Sequence, residues 1–400
     1  MKINGLETMH VDGGYQKLSY LKVTTDAGIV GWSEFSRSET VEPIIRSLTG
    51  QLVGSDPTNV SALDALFQAI NRRGPGGIMP RAAGAVMNAC LDIKGKAAGL
   101  PVYELFGGAV RDEIPLYHSH LGLFRANYAH LYDGKVIDRP SVRSLDDLQA
   151  AVREAATDGY QAIKSNIIHF DKADRVTRVR GLAKTVRRGQ PDLNVSPALI
   201  GKFVDQLAAM REAAPDLEIM FDLNYYFRPE GFRRFARAAE PFSLGWLECD
   251  LPDPNALASV RTATATPIGS YEQLMGARAL RPFLEADGAD VAIIDPQWNG
   301  VFEAVKMARL AEVHDVNVAA HCSGGPLGAR ISAHFCAVIP NLRIMEHEGD
   351  AVPWVDALLT QPNRVERGSF ILPEGPGWGA DIDEAVLRAH PPAGGATDVR

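Results

Sequence analysis

Cysteine is scarce: Cys90, Cys249, Cys322 and Cys336 are the only four in 400 residues, and none falls in a CxxC or other zinc-type spacing. That scatter argues against a disulfide framework or a zinc site, and a reduced, cytoplasmic setting is expected. Long apolar runs are missing too. No stretch approaches the roughly 18–20 residues that a membrane helix requires, so no membrane association is expected. The opening MKINGLETMHVDGG lacks a basic segment followed by an apolar one, so no secretory signal is expected. Positive charge is in deficit, with 41 Lys and Arg against 49 Asp and Glu and a formal net charge of −8. A nucleic-acid partner would want a basic face, and this balance argues against one. What remains is 46% hydrophobic and 22% charged residues, an ordinary composition for a globular enzyme long enough for two domains.

The pattern changes character near residue 114. Residues 1–35 read as two or three strands, with a turn at Thr25-Asp26-Ala27-Gly28. Helical periodicity follows over Glu42–Leu52, Ser61–Arg72 and Ala83–Ala98. Strands and then helices predict an α+β capping domain over residues 1–113. From Ile114 onward, strand-like runs alternate with helical ones: IPLYHSH, YQAIKSN, LEIMFD, LGWLE, TPIGS, VAIID, VNVAAH and LRIME. Eight strands with helices between them predict an α/β fold, a (β/α)8-type TIM barrel over residues 114–350. Residues 351–400 are expected to return to the capping domain. About fifty residues separate YQAIKSN from LEIMFD, roughly double what one repeat needs. The excess near 170–197 predicts an extra exposed helix, either a solvated surface element or part of a lid or subunit contact.

Three strand-like runs each close on an acid: Asp222, Glu248 and Glu272, spaced 26 and 24 residues apart. That spacing is about one strand-plus-helix repeat, so the three carboxylates converge on one barrel face. Converging carboxylates repel unless a cation compensates them, and all-oxygen ligation points to Mg²⁺. Asp295 and His321 close the sixth and seventh strands. An Asp on the far nitrogen of an imidazole raises its basicity, as a general base or acid needs. Lys164 ends the second strand and can hold a carboxylate or shuttle protons, or simply lie at the surface. Asn166, Asn224, Glu346, His118 and His120 are candidate substrate contacts, each with an alternative as a rim residue or structural bond. Metal, His–Asp pair and lysine together suit removal of a proton α to a carboxylate, since the metal stabilises the ene-diolate that forms.

The stretch CLDIKGKAAGLPVYELFGGAVRDEIPLYHS (Cys90–Ser119), followed in order by AIK, FDLN, LGWLE, GSYEQL, ADVAIID, VNVAAH and LRIME, resembles the mandelate racemase-like subgroup of the enolase superfamily. The resemblance implies a cap over the barrel mouth with a substrate-selecting loop near Met9–Lys17. It also implies Mg²⁺ on Asp222, Glu248 and Glu272, a catalytic His321–Asp295 dyad, and a homo-oligomer. The chain departs from the family pattern at three positions. Asn166 stands where a second lysine is usual and cannot carry a proton, which argues against simple racemisation. Asp250 replaces a proline two residues after the second acid. Tyr271 replaces a glycine before the third, where it is expected to contact substrate, serve as an acid, or pack under a loop. The resulting expectation is an acid-sugar dehydratase that forms a 2-keto-3-deoxy acid from a small-molecule sugar acid. An epimerase or cycloisomerase, a non-catalytic relative, or an unrelated metal-dependent barrel hydrolase are the alternatives.

Overall fold

The computed structural model describes residues 1–36, 38–72, 76–170, 176–178 and 195–392. Strands β1 (Ile3–Asp12), β2 (Lys17–Thr25) and β3 (Val30–Phe35) form an antiparallel meander, with the expected turn joining β2 to β3. Helices Ser38–Leu52, Val60–Asn71 and Met79–Ala98 complete the cap. The third starts four residues earlier than its periodicity predicts, because Pro80 sits in the first turn, where its missing N–H costs nothing. It packs tightly on β3. Gly31 lies against the Ala89 carbonyl and the Ile93 side chain, leaving no room for a Cβ.

The barrel strands are β4 (Glu113–His118), β5 (Ala162–Asn166), β8 (Glu218–Asp222), β9 (Trp246–Glu248), β10 (Ile268–Ser270), β11 (Val291–Ile294), β12 (Asn317–Ala320) and β13 (Leu342–His347). Each pairs in parallel with the next, and β13 pairs with β4 to close the ring. Their inward side chains fill the lumen: Tyr117, Met220, Trp246, Val291, Ile293 and Ile344 belong to one buried cluster. Trp246 explains the glycine in TPIGS, since a Cβ on Gly269 would stand 2.5 Å from the indole. Barrel helices open on prolines at Pro197, Pro229, Pro254 and Pro326. Ser196 and Asp253 cap two of them through their side chains.

Between β5 and β8 the described residues hold a small antiparallel pair, β6 (Ile168–Phe170) with β7 (Val176–Arg178), then the helix Pro197–Ala213. The extra helix expected near 170–197 falls mostly on 171–175 and 179–194, which lie outside the described residues. The five-residue helix Leu123–Asn127, after β4, is too short to register as periodicity. After the barrel, β14 (Val365–Glu366) and β15 (Ser369–Ile371) add to the outside of β4. The following segment meets the cap: the Trp378 indole N–H donates to the Trp32 carbonyl at 2.9 Å, and Asp12 N–H donates to the His390 carbonyl. Among the described residues no helix is long and apolar enough to cross a membrane.

Candidate active site

Parallel strands in register deliver their final residues to one rim, and the pairing here does so directly. Asn166 pairs with Asp222, and Asp222 with Glu248. Ile294 pairs with Ala320, so Asp295 and His321, the next residue on each strand, stand side by side. His321 Nδ1 lies 2.6 Å from Asp295 Oδ2, and both groups are buried. Asp295 is itself held by the Gln297 and Trp298 backbone N–H groups at 2.6 and 2.8 Å. The Nε2 edge of His321 looks toward Glu346 at 3.6 Å and Glu272 at 3.8 Å. Burial disfavours the imidazolium, but Glu272, Glu346 and Asp295 outweigh it and push the imidazole up to about 10.

Lys164 is fully buried, with its ammonium 3.1 Å from both Glu248 and Glu346. Burial opposes its charge, yet the two carboxylates hold it well above the ordinary lysine range. Glu346 gathers several partners at once. It accepts from the Ser119 hydroxyl and from the Cys322 N–H at 2.8 Å, besides Lys164. Burial works against its charge too, but Lys164, His321 and His120 keep it well below the usual carboxylate range.

Asp222, Glu248 and Glu272 could hold a hard cation. Burial pushes the Glu248 carboxyl far up; Lys164 works against this, while Asp222, Glu272 and Asp250 add to it. Glu248 Oε1 is buried with no hydrogen-bond partner, so its lone pairs are free for a cation. Among the described residues no three His, Cys, Asp or Glu side chains are already drawn into a metal cluster; the second Glu248 oxygen is engaged with Lys164 instead. Oxygen donors on successive strands, an unpaired buried oxygen and mutual repulsion fit Mg²⁺.

Asn166 braces the first of these acids, donating from Nδ2 to Asp222 Oδ2 at 3.1 Å, while its own Oδ1 is buried without a partner. Asn224, at a left-handed φ of +52°, turns the chain after Asp222 and lines the cavity. So do Lys164, Asn166, Asp222, Glu272, His321, Glu346 and His120. His118 and Tyr271 do not. His118 is turned into the protein, with Nδ1 at the Ser119 carbonyl and Nε2 4.0 Å from Asp350, so the structure does not bring it to the cavity. Tyr271 adopts φ +92° and packs its ring on Phe283, donating to the Phe283 carbonyl at 3.3 Å. The packing alternative describes its place in the structure, and it does not line the cavity. Asp250, to which the motif alone assigns no role, lines the cavity and accepts from the Ser270 hydroxyl at 2.9 Å. Burial and Glu272 push it up to about 7. Gln16 and Lys17 also line the cavity, within the loop near Met9–Lys17 that the resemblance marks for substrate selection; Trp298 and Ser323 line it too, and no sequence signal marks those two.

A closed parallel barrel with an α+β cap reaching its carboxylate-lined mouth defines a class of lidded barrel enzymes. Residues 147–386 match the enolase C-terminal domain-like family, and residues 7–107 match the mandelate racemase/muconate lactonizing enzyme N-terminal domain. The chain belongs to the mandelate racemase/muconate lactonizing enzyme family of the enolase superfamily. It is 28% identical to D-xylonate dehydratase of Haloferax volcanii, over 97% of this chain and 89% of that protein. It is also 28% identical to D-galactonate dehydratase of Ralstonia nicotianae, over 97% and 94%. A crystal structure from Burkholderia xenovorans, provisionally described as an L-alanine-DL-glutamate epimerase, superposes with a TM-score of 0.93 at 38% identity, covering 99% of this chain and all of that one. A second structure of that description, bound to magnesium and fumarate, superposes at 0.92 with 38% identity, over 98% and 96%.

Proposed function

We propose that the protein is a Mg²⁺-dependent acid-sugar dehydratase, a carbon–oxygen lyase that converts an aldonate or aldarate to a 2-keto-3-deoxy acid. The observation that carries this is the His321–Asp295 pair standing beside the row Asp222, Glu248 and Glu272. The dehydratases among the relatives, alike over nearly the whole chain, support it. Asp222, Glu248 and Glu272 would hold the metal, which would supply positive charge against the negative charge that gathers on the substrate carboxylate. His321, oriented by Asp295, would take the α-proton at Nε2, because a cation on Glu272 would offset part of the carboxylate charge that raises the imidazole. Lys164 offsets the charge of Glu248 and Glu346 and keeps the acid face of the site ordered. Gln16 and Lys17 bring the cap loop to the cavity and help select substrate. A homo-oligomer in the cytoplasm is part of the same reading.

The higher identity to the structures described as an epimerase favours a second reading, epimerisation, here tested on sugar acids. Incubation with Mg²⁺ and a panel of acid sugars, including D-xylonate and D-galactonate, separates the two by semicarbazide detection of keto acid. Keto acid from at least one substrate supports dehydration. Deuterium uptake from D₂O with an inverted centre and no keto acid would replace it with epimerisation.

A further inference from the structure

Loss of a β-hydroxyl needs a proton for the departing oxygen, and Asn166 cannot supply it. Among the described residues two imidazoles line the cavity, His321 and His120. His120 follows β4 as Glu348 follows β13, and those strands close the barrel, so the two meet at the rim. His120 Nδ1 lies 2.8 Å from Glu348 Oε2, and its ring stacks on Phe124 at 4.4 Å and 7°. Ser119 Oγ lies 3.2 Å from the same nitrogen. With Nδ1 engaged and the ring clamped, Nε2 has no hydrogen-bond partner among the described residues. His120 holds φ +47°, a left-handed conformation that an ordinary side chain adopts only under constraint. Like His321 with Asp295, His120 carries a carboxylate on Nδ1 and belongs to the cavity lining.

We propose that His120, oriented by Glu348, is the general acid that protonates the leaving β-hydroxyl. This rests on the dehydratase reading. As His321 accepts the α-proton, the C–H electron pair forms the Cα=Cβ bond and the Cβ–O bond breaks. The departing oxygen takes the Nε2 proton of His120 and leaves as water, and the imidazole regains a proton from solvent. The enol then becomes the ketone, losing its O–H proton and gaining one at Cβ. Burial disfavours a charged His120, but Glu348 outweighs this and raises it. Of the two lysines that line the cavity among the described residues, Lys164 is committed to Glu248 and Glu346, and Lys17 to Glu39 at 2.7 Å.

The test compares His120→Asn, which tolerates a left-handed φ, with the natural protein. The substrate is D-xylonate or D-galactonate, whichever the natural protein dehydrates, beside its 3-deoxy-3-fluoro analogue. Fluoride leaves with little need of a proton. Dehydration of the hydroxy acid by His120→Asn should fall about 100-fold or more. Fluoride release should stay within about threefold, and α-deuterium exchange should persist. Glu348→Gln should show the same leaving-group pattern more weakly, and it serves if His120→Asn does not fold. Equal losses on both substrates, or undiminished dehydration, would overturn the proposal. Failure of the dehydratase reading looks different: the natural protein itself releases no keto acid, which overturns both.

Discussion

Lys164 lies between Glu248 and Glu346, 3.1 Å from each, with all three side chains buried. One ammonium therefore offsets two carboxylates from opposite walls of the barrel mouth. Removing it leaves both acids desolvated and unpaired, and breaking a buried pair in this way costs about 3–5 kcal/mol. Lys164→Met should lose stability on that order in urea unfolding without metal. Added Mg²⁺ should restore more stability to the variant than it adds to the natural protein.

Asp295 holds His321 from one side only. His321→Asn should lower keto-acid formation by about 10²–10⁴-fold, and Asp295→Asn should lower it by less. Mg²⁺ binding by calorimetry should be nearly unchanged in both. A fully active His321→Asn would remove this histidine from the mechanism.

Glu248 presents an unpaired buried carboxylate oxygen at the site. Chelation by EDTA should abolish turnover, and Mg²⁺ should restore it. Glu248→Gln should weaken Mg²⁺ binding at least tenfold by calorimetry, because a carboxylate oxygen is exchanged for a neutral amide. Unchanged affinity would move the metal elsewhere.

His334 supplies a pH dependence unconnected with the site. Its Nδ1 accepts from the Tyr103 N–H at 3.3 Å and its Nε2 faces the Trp378 carbonyl at 3.4 Å, an arrangement that requires the neutral ring. Burial, with help from Arg330, pushes it down to about 3, against an ordinary 6.5. Above pH 6.5 both folded and unfolded states are neutral here, and the full contribution to stability is present. As pH falls toward 3 only the unfolded state takes up a proton, so stability declines. His334→Gln should make the melting temperature fall less steeply between those two pH values.

Gly31 has no room for a Cβ against the Ala89 carbonyl, and backbone cannot yield as a side-chain tip does. Gly31→Ala should destabilise by about 1–3 kcal/mol or more in urea unfolding, through separation of β3 from its helix.

Much of the architecture is legible in the sequence because a parallel barrel repeats at a fixed period. Apolar runs mark the strands, and the residue that closes each run marks the rim, so the chain's own periodicity places Asp222, Glu248, Asp295 and His321 on one face. The same logic does not separate His118 from His120. Two residues apart on an extended chain they share a face, but the backbone turns to φ +47° at His120 and sends only that ring to the cavity. Nor does it reveal that Tyr271 rotates onto Phe283. Glu34 is invisible to it for another reason. Its carboxylate accepts from the Gly325 and Gly328 N–H groups, capping the helix Pro326–Val338 from nearly three hundred residues away.

The sequence by itself determined the barrel, its cap and the row of acids, since periodicity and register are local properties that the chain writes in order. Only the tertiary structure decided which polar groups meet: Lys164 with Glu346, His120 with Glu348, Glu34 with a distant helix. Those contacts join segments far apart in the chain, and no local pattern encodes them. Closure of β13 on β4 is what brings the first two pairs into reach.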